Sequence, residues 1–170
     1  MDWHGHRLHI RLSGRVAELR SRLPRARYFR GHGVHSPFVY DLVRRVFMRR
    51  ELFAGDRRLY EELLARGAEP RRAVQLQNLL IHCGYATFGM DRADADLCIA
   101  TCDLDLGATA RLVADAAAAG HTVALLSPYA DRDRQALCRQ LIAAHRSTTV
   151  DNRGYLLFFN NYLPKQHFRL

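Results

Sequence analysis

Two short apolar runs near the middle of the chain predict buried strands. Residues 96–102 and 122–126 show no regular alternation of polar and apolar side chains, a pattern typical of strands covered on both faces. The alanine-rich segment between them repeats apolar residues at helical spacing and ends at Gly120, which suits a helix terminus. A strand, a helix and a second strand in this order predict a right-handed parallel unit.

The rest of the second half predicts one more helix and then extended chain. The helix covers residues 131–145, and the extended segments cover residues 147–160 and 167–170. We therefore expect the end of a doubly wound α/β sheet that finishes in an antiparallel hairpin.

The first half of the chain predicts helices. Ser36 suits an N-cap, and Pro37 suits the first position of the helix that follows. Further helices fit residues 57–66 and 71–83, because an amphipathic pattern in each segment is followed by a glycine.

The 170 residues fit one domain, in which we expect a helical region over residues 1–84 to pack on an α/β region over residues 85–170.

The net charge of +9 is unevenly placed: residues 1–72 hold 17 basic and 8 acidic residues, whereas residues 73–170 hold 9 of each. A basic arm indicates an anionic partner, either nucleic acid or a membrane surface. A GC-rich genome also favours arginine codons. The basic charge therefore has two explanations, an anionic partner or coding bias, and both stay open.

A nucleic-acid-binding module is therefore one hypothesis for the function. Its contacts would be the arginines of a basic amphipathic helix and of the chain that follows it: Arg15, Arg20, Arg22, Arg25, Arg27 and Arg30. Within residues 15–30, which carry these arginines, Tyr28 and Phe29 are the only aromatic residues. Binding should therefore depend on phosphate contacts and weaken steeply with salt.

Several features of the chain point to a cytoplasmic protein without a metal site. No apolar run approaches the about 20 residues that cross a bilayer, and the N-terminus has no signal-peptide core. The cysteines have no paired CxxC spacing, so we expect small buried hydrophobic residues in a reducing compartment. They are Cys83, Cys98, Cys102 and Cys138.

Both ends of the chain resemble a known family. Residues 32–42 read HGVHSPFVYDL, residues 149–159 read TVDNRGYLLFF, and residues 165–170 read KQHFRL. These segments are similar to the opening signature and the closing hairpin of class I S-adenosylmethionine-dependent methyltransferase-like proteins common in the Bacteroidetes. The resemblance implies a truncated Rossmann-like α/β fold, the C-terminal half of such a methyltransferase, with a sheet of about four or five strands and N-terminal helices.

The cofactor half of that family has no counterpart in this chain. The family carries a glycine-rich turn of the form ELGTSLG, followed by a helix and by a strand that ends in an acid. Residues 84–95 leave room for one short strand, over residues 85–88, and for no such turn. When the chain is aligned with the family, Thr101 stands where the family has an acidic residue in the loop after the strand. Asp103 or Asp105 takes that place if the alignment shifts by a few residues.

The first functional hypothesis is a degenerate methyltransferase-like protein that binds no cofactor, catalyses no reaction and acts by protein association. The family's missing strands would pair beside residues 96–102, so their loss bares a sheet edge that must be covered. We expect the cover to be residues 85–90, the N-terminal helices or a second copy of the chain. Self-association or a protein partner at that edge follows from this hypothesis.

The alternative hypothesis is an active methyltransferase that uses S-adenosylmethionine in an atypical site. The two histidines lie in the turn before the predicted helix, whereas the two loop aspartates and the tyrosine follow predicted strands. Such groups could hold a metal or transfer protons. These candidates are His32, His35, Asp103, Asp105 and Tyr129. The competing interpretation is that His35 only shapes the turn before the helix.

Overall fold

Six strands form one mixed sheet in the computed structural model, which describes residues 36–160 and 163–170. The order across the sheet is β1-β2-β3-β5-β4-β6. The strands are β1 (Phe88–Met90), β2 (Leu97–Ala100), β3 (Thr122–Leu126), β4 (Thr149–Asp151), β5 (Tyr155–Phe158) and β6 (His167–Arg169). The expected four or five strands are thus six, because the two edges of the sheet are three-residue strands.

The pairing of the strands follows the sequence prediction. β1, β2 and β3 are parallel, whereas β5 runs antiparallel to both β3 and β4. β6 returns parallel to β4 at the other edge. The parallel unit and the closing hairpin are therefore confirmed, and the α/β fold is compatible with a truncated Rossmann-like sheet.

Helices cover both faces of the sheet. The described helices are α1 (Pro37–Leu42), a π-helical turn (Val43–Phe47), α2 (Arg58–Ala65), α3 (Pro70–His82), α4 (Leu106–Ala119) and α5 (Arg132–Ala144). The core formed by α1, the π-helical turn, α2 and α3 lies on one face, and the core formed by α4 and α5 lies on the other. Every helix in the described part of the chain falls short of the length and hydrophobicity that a bilayer-spanning helix requires.

The side chains of β2 explain why that strand lacks polar alternation. Leu97 and Ile99 belong to the core beneath α1–α3, while Cys98 and Ala100 belong to the core beneath α4 and α5. Successive side chains of a strand point to opposite faces, so both faces must be apolar when both are covered by helices.

The predicted helix boundaries have the expected local causes. Ser36 accepts a hydrogen bond from the backbone N–H of Val39 at 3.4 Å, and Pro37 occupies the first turn of α1. Gly120 ends α4 with a φ of +76°, a left-handed conformation that a residue without a Cβ adopts at little cost.

The strand predicted over residues 85–88 lies instead at Phe88–Met90. The Asp96 carboxylate accepts hydrogen bonds from the backbone N–H groups of Ala86 and Thr87, both at 2.9 Å. These amides are therefore bound by a side chain rather than by a neighbouring strand, and β1 begins only after them.

Candidate functional site

The carboxyl ends of the parallel strands meet at one edge of the sheet, where doubly wound folds bind ligands. Asp91 directly follows β1 and has a φ of +57°, an uncommon angle that aspartate tolerates better than most residues. Its carboxylate accepts a hydrogen bond from the Thr101 N–H at 2.7 Å and another from the Thr101 hydroxyl at 2.8 Å. Asp91 therefore ties the end of β1 to the end of β2.

A buried arginine closes the same edge between β2 and β3. Arg134, in the first turn of α5, is only 3% exposed. Its Nη2 donates to the backbone carbonyl of Thr101 at 2.9 Å and to that of Leu126 at 3.0 Å. Thr101 directly follows β2 and Leu126 is the last residue of β3. The guanidinium therefore satisfies acceptors at the strand ends that a ligand or water would otherwise meet.

The connection between β1 and β2 is unusually short for parallel strands. Only residues 91–96 join them, and this loop contains neither a glycine nor a helix, although such crossovers ordinarily need about a dozen residues or more. A Cβ at Gly89 would come within 2.7 Å of the Arg92 side chain. The glycine of β1 is therefore covered by the chain's own arginine, and the edge has no glycine-rich turn leading into a helix.

The predicted site residues in the described part of the chain bond to different partners. Asp105 caps α4, since its Oδ1 accepts from the N–H of Ala108 at 2.7 Å. Asp103 is exposed, and its N–H donates to the Thr101 hydroxyl at 3.2 Å. Tyr129 donates its hydroxyl proton to Asp151 Oδ2. Among the described residues no hydrogen bond joins Asp103, Asp105 and Tyr129.

The remaining predicted contacts lie outside the described residues. They are His32, His35 and the six arginines of the basic arm, Arg15, Arg20, Arg22, Arg25, Arg27 and Arg30. Within residues 36–160 and 163–170, no three or more His, Cys, Asp and Glu side chains come together in a way that could hold a metal ion.

Sequence reasoning missed the residues that dominate this edge. Asp91 had a usable signal, because it follows a short apolar segment just as Thr101 follows the next one. Arg134 had none, since an arginine in the first turn of a helix is usually solvated. Asp151 lies in the quoted closing hairpin, but its burial at 3% exposure and its bond to the Arg153 N–H at 3.2 Å were not foreseen.

The cysteines differ from one another in exposure. Cys98 and Cys138 are buried as predicted, Cys83 is half-buried, and Cys102 is exposed next to the end of β2, so the prediction is wrong for Cys102. Burial raises the pKa of Cys83 and that of Cys138 to about 11. These two thiols therefore remain protonated, and poor nucleophiles, at neutral pH.

Comparison of the chain with protein-family models, curated proteins and solved structures gives no match.

Proposed function

We propose that this chain is a degenerate methyltransferase-like protein that works by binding rather than by methyl transfer. The observation that supports the proposal is the closed carboxyl edge of the sheet. Asp91 and Arg134 fill with internal hydrogen bonds the positions from which a doubly wound fold ordinarily contacts its ligand. The sequence resemblance suggests the family. The geometry favours the non-catalytic hypothesis over the atypical active methyltransferase.

S-adenosylmethionine, the methyl donor, would have to compete with these internal hydrogen bonds. A class I methyltransferase offers free backbone amides to the methionine carboxylate and an acid to the ribose hydroxyls. Here the Thr101 amide is already bonded to Asp91, and the carbonyls of Thr101 and Leu126 are bonded to Arg134. Leaving one such buried group unpaired costs about 1–3 kcal/mol, so opening several at once removes most of a cofactor's binding energy.

Isothermal titration calorimetry with S-adenosylmethionine tests this proposal. We expect no saturable heat, and the same result with S-adenosylhomocysteine, from protein whose circular dichroism shows it to be folded. Micromolar binding of either compound would overturn the proposal and favour the atypical active methyltransferase with His32, His35, Asp103, Asp105 and Tyr129 as its candidates.

The sheet edge changes the expectation of self-association. β1 pairs with β2, so the edge is covered from within residues 85–90, the first of the three covers that the sequence analysis expected. β1 is three residues long, and the loop after it exposes Arg92 and Asp94, whose side chains are 60% and 72% accessible. A short strand flanked by charge resists the addition of another strand.

A second copy of the chain is therefore no longer needed to cover β2. We expect sedimentation velocity to show a monomer over a wide range of concentrations, with other partners binding away from β1. A concentration-dependent dimer that is lost in an Ala86→Pro variant beside β1 would contradict this expectation and restore association at the sheet edge.

A further inference from the structure

An open basic hollow lies on the helical layer, apart from the carboxyl edge of the sheet. Its volume is about 510 Å³. It is formed by the π-helical turn, the chain just after that turn and the last residue of α3, through Arg44, Arg45, Met48, Arg49, Phe53 and His82. We call these six residues the arginine hollow.

The π-helical turn exposes two of the arginines. The Met48 N–H bonds to the carbonyl of Val43 at 3.0 Å, which is the five-residue spacing of a π-helix. Val43, Val46 and Phe47 are buried by this turn, whereas Arg44 and Arg45 are exposed. Such turns are rare and occur often at functional sites, so the exposed pair of cations merits a functional explanation.

Contacts within the hollow orient its cations. Asp41 bonds to Arg45 Nε and to His82 Nε2, both at 2.8 Å. The Arg49 guanidinium lies over the Phe53 ring, 4.5 Å from its centroid. A guanidinium held flat on a ring keeps its N–H edge available to an oxyanion. In the part of the chain that the structure describes, Arg44 forms no ion pair.

The charge of the chain is concentrated around this hollow in sequence. Residues 1–50 contain 12 arginines and 3 acidic residues, so the whole net charge of +9 falls there, whereas residues 51–170 hold 14 basic and 14 acidic residues. Residues 44–50 contain four arginines and no acid. The lining combines positive charge with the side chains of Met48 and Phe53, and a polyanion that carries aromatic bases matches both properties.

We propose that the arginine hollow binds the phosphate backbone of single-stranded nucleic acid. Guanidinium groups bind phosphate through two parallel N–H bonds, and a shallow open hollow suits an extended strand better than an enclosed small molecule. Exposed Met48 and the arginine planes offer surfaces on which a base can stack. This inference goes beyond the proposed function, because it names the class of molecule that the chain binds.

Fluorescence anisotropy with a labelled oligouridine strand tests the site. The test variant is Arg44→Gln with Arg49→Gln, and the control is Arg111→Gln with Arg139→Gln, two exposed arginines on α4 and α5 across the sheet. Both variants lose two positive charges. The test variant also loses the contact of Arg49 with the Phe53 ring, so its circular dichroism has to match that of the wild type before binding is compared. We expect the test variant to weaken binding about tenfold and to lower the slope of log K against log salt by about 1.4, the value for two phosphate contacts on a single strand. We expect the control variant to change the affinity by no more than about twofold, and the salt slope by no more than about twofold.

Two results would overturn the assignment. The first is an absence of oligouridine binding by the wild-type chain at low salt, and the second is an equal loss in the test and control variants. If the first result is accompanied by binding of phosphatidylserine vesicles or of inorganic phosphate, the hollow binds a lipid headgroup or free phosphate instead. Because none of these measurements involves S-adenosylmethionine, their failure is distinguishable from a failure of the proposed function.

Discussion

At the scale of single residues, Arg134 is the side chain on which the closed edge depends. It is a buried cation whose bonds go to backbone carbonyls of two different strands. Hydrogen bonds from a charged donor contribute more than neutral ones, and a buried acceptor left without a donor is costly. Arg134 therefore closes the carboxyl edge of the sheet and also stabilises the fold. The edge is filled by the chain's own side chain rather than by a ligand.

Replacing this arginine should destabilise the protein strongly. Arg134→Met keeps an unbranched apolar side chain at this position but removes the guanidinium donors from the carbonyls of Thr101 and Leu126. We expect the free energy of unfolding to fall by about 3 kcal/mol, measured by urea denaturation. Arg139→Met, on the exposed side of the same helix, should change it by no more than about 0.5 kcal/mol. Equal stability of the two variants would show that the Arg134 bonds contribute little.

At the scale of secondary-structure elements, β1 is the strand that depends most on a single side chain. Three residues of pairing with β2 give little cooperativity. The Asp96 carboxylate adds bonds to the chain just before β1, including one to the Thr87 hydroxyl at 3.0 Å. Asp96 therefore anchors the segment that covers the edge of β2.

Asp96→Ala should loosen β1 without unfolding the rest of the sheet. The reporters are the N–H of Asp91, bonded to the Ile99 carbonyl at 2.8 Å, and the N–H of Leu97, bonded to the Thr87 carbonyl at 3.2 Å. We expect hydrogen exchange at both amides to accelerate about fivefold or more, as for the loss of one net hydrogen bond. Asp94→Ala, in the same loop, serves as the control, and equal acceleration in that variant would contradict the role of Asp96.

The pH dependence of this anchor follows from its hydrogen bonds. The bond from the Thr87 N–H, with smaller contributions from the Thr87 hydroxyl and the Ala86 N–H, holds the pKa of Asp96 below its ordinary value of 3.8. A carboxyl with a lowered folded pKa stabilises the fold fully above its unfolded value and loses that contribution as pH falls through the folded value. The difference in exchange between the wild type and Asp96→Ala should therefore persist above pH 3.8 and shrink below it. A difference that stays constant at lower pH would contradict the pKa direction.

The sequence predicts the long, strongly patterned elements and misses the short ones. β3 coincides with its apolar run, and α4 and α5 end within a residue or two of the predicted positions, because burial and capping are encoded locally. β1 has only three residues and no periodicity, so its position depends on contacts made by Asp96. The π-helical turn has the same apolar spacing as an ordinary helix, and its extra residue per turn is decided by packing.

At the scale of the whole molecule, sequence reasoning points to the carboxyl edge of the sheet but not to the residues that fill it. The rule that ligands meet the carboxyl ends of parallel strands leads to the loops containing Asp103, Asp105 and Tyr129. Their roles depend on which neighbours the fold brings to them: Asp105 caps a helix, and Tyr129 bonds to Asp151. Arg134 arrives from a helix more than 30 residues after Thr101, a contact that no local pattern encodes.

The closed edge and the arginine hollow lie on different parts of the fold. The first is built from the sheet and α5, and the second from the π-helical turn and α3. A chain that lost the donor-binding half of a methyltransferase would keep the helical layer and any binding surface on it. Binding at the arginine hollow therefore does not need the carboxyl edge of the sheet.

The most direct test of the closed edge is an NMR titration of ¹⁵N-labelled protein with S-adenosylmethionine, followed at the amides of Asp91, Thr101 and Cys102. We predict that these three resonances stay unchanged as the compound is added, because their surroundings are already occupied by the Asp91 carboxylate and the Arg134 guanidinium. Saturable shifts at these amides would show that the edge opens to a nucleoside, and would contradict the central claim that the chain has closed it.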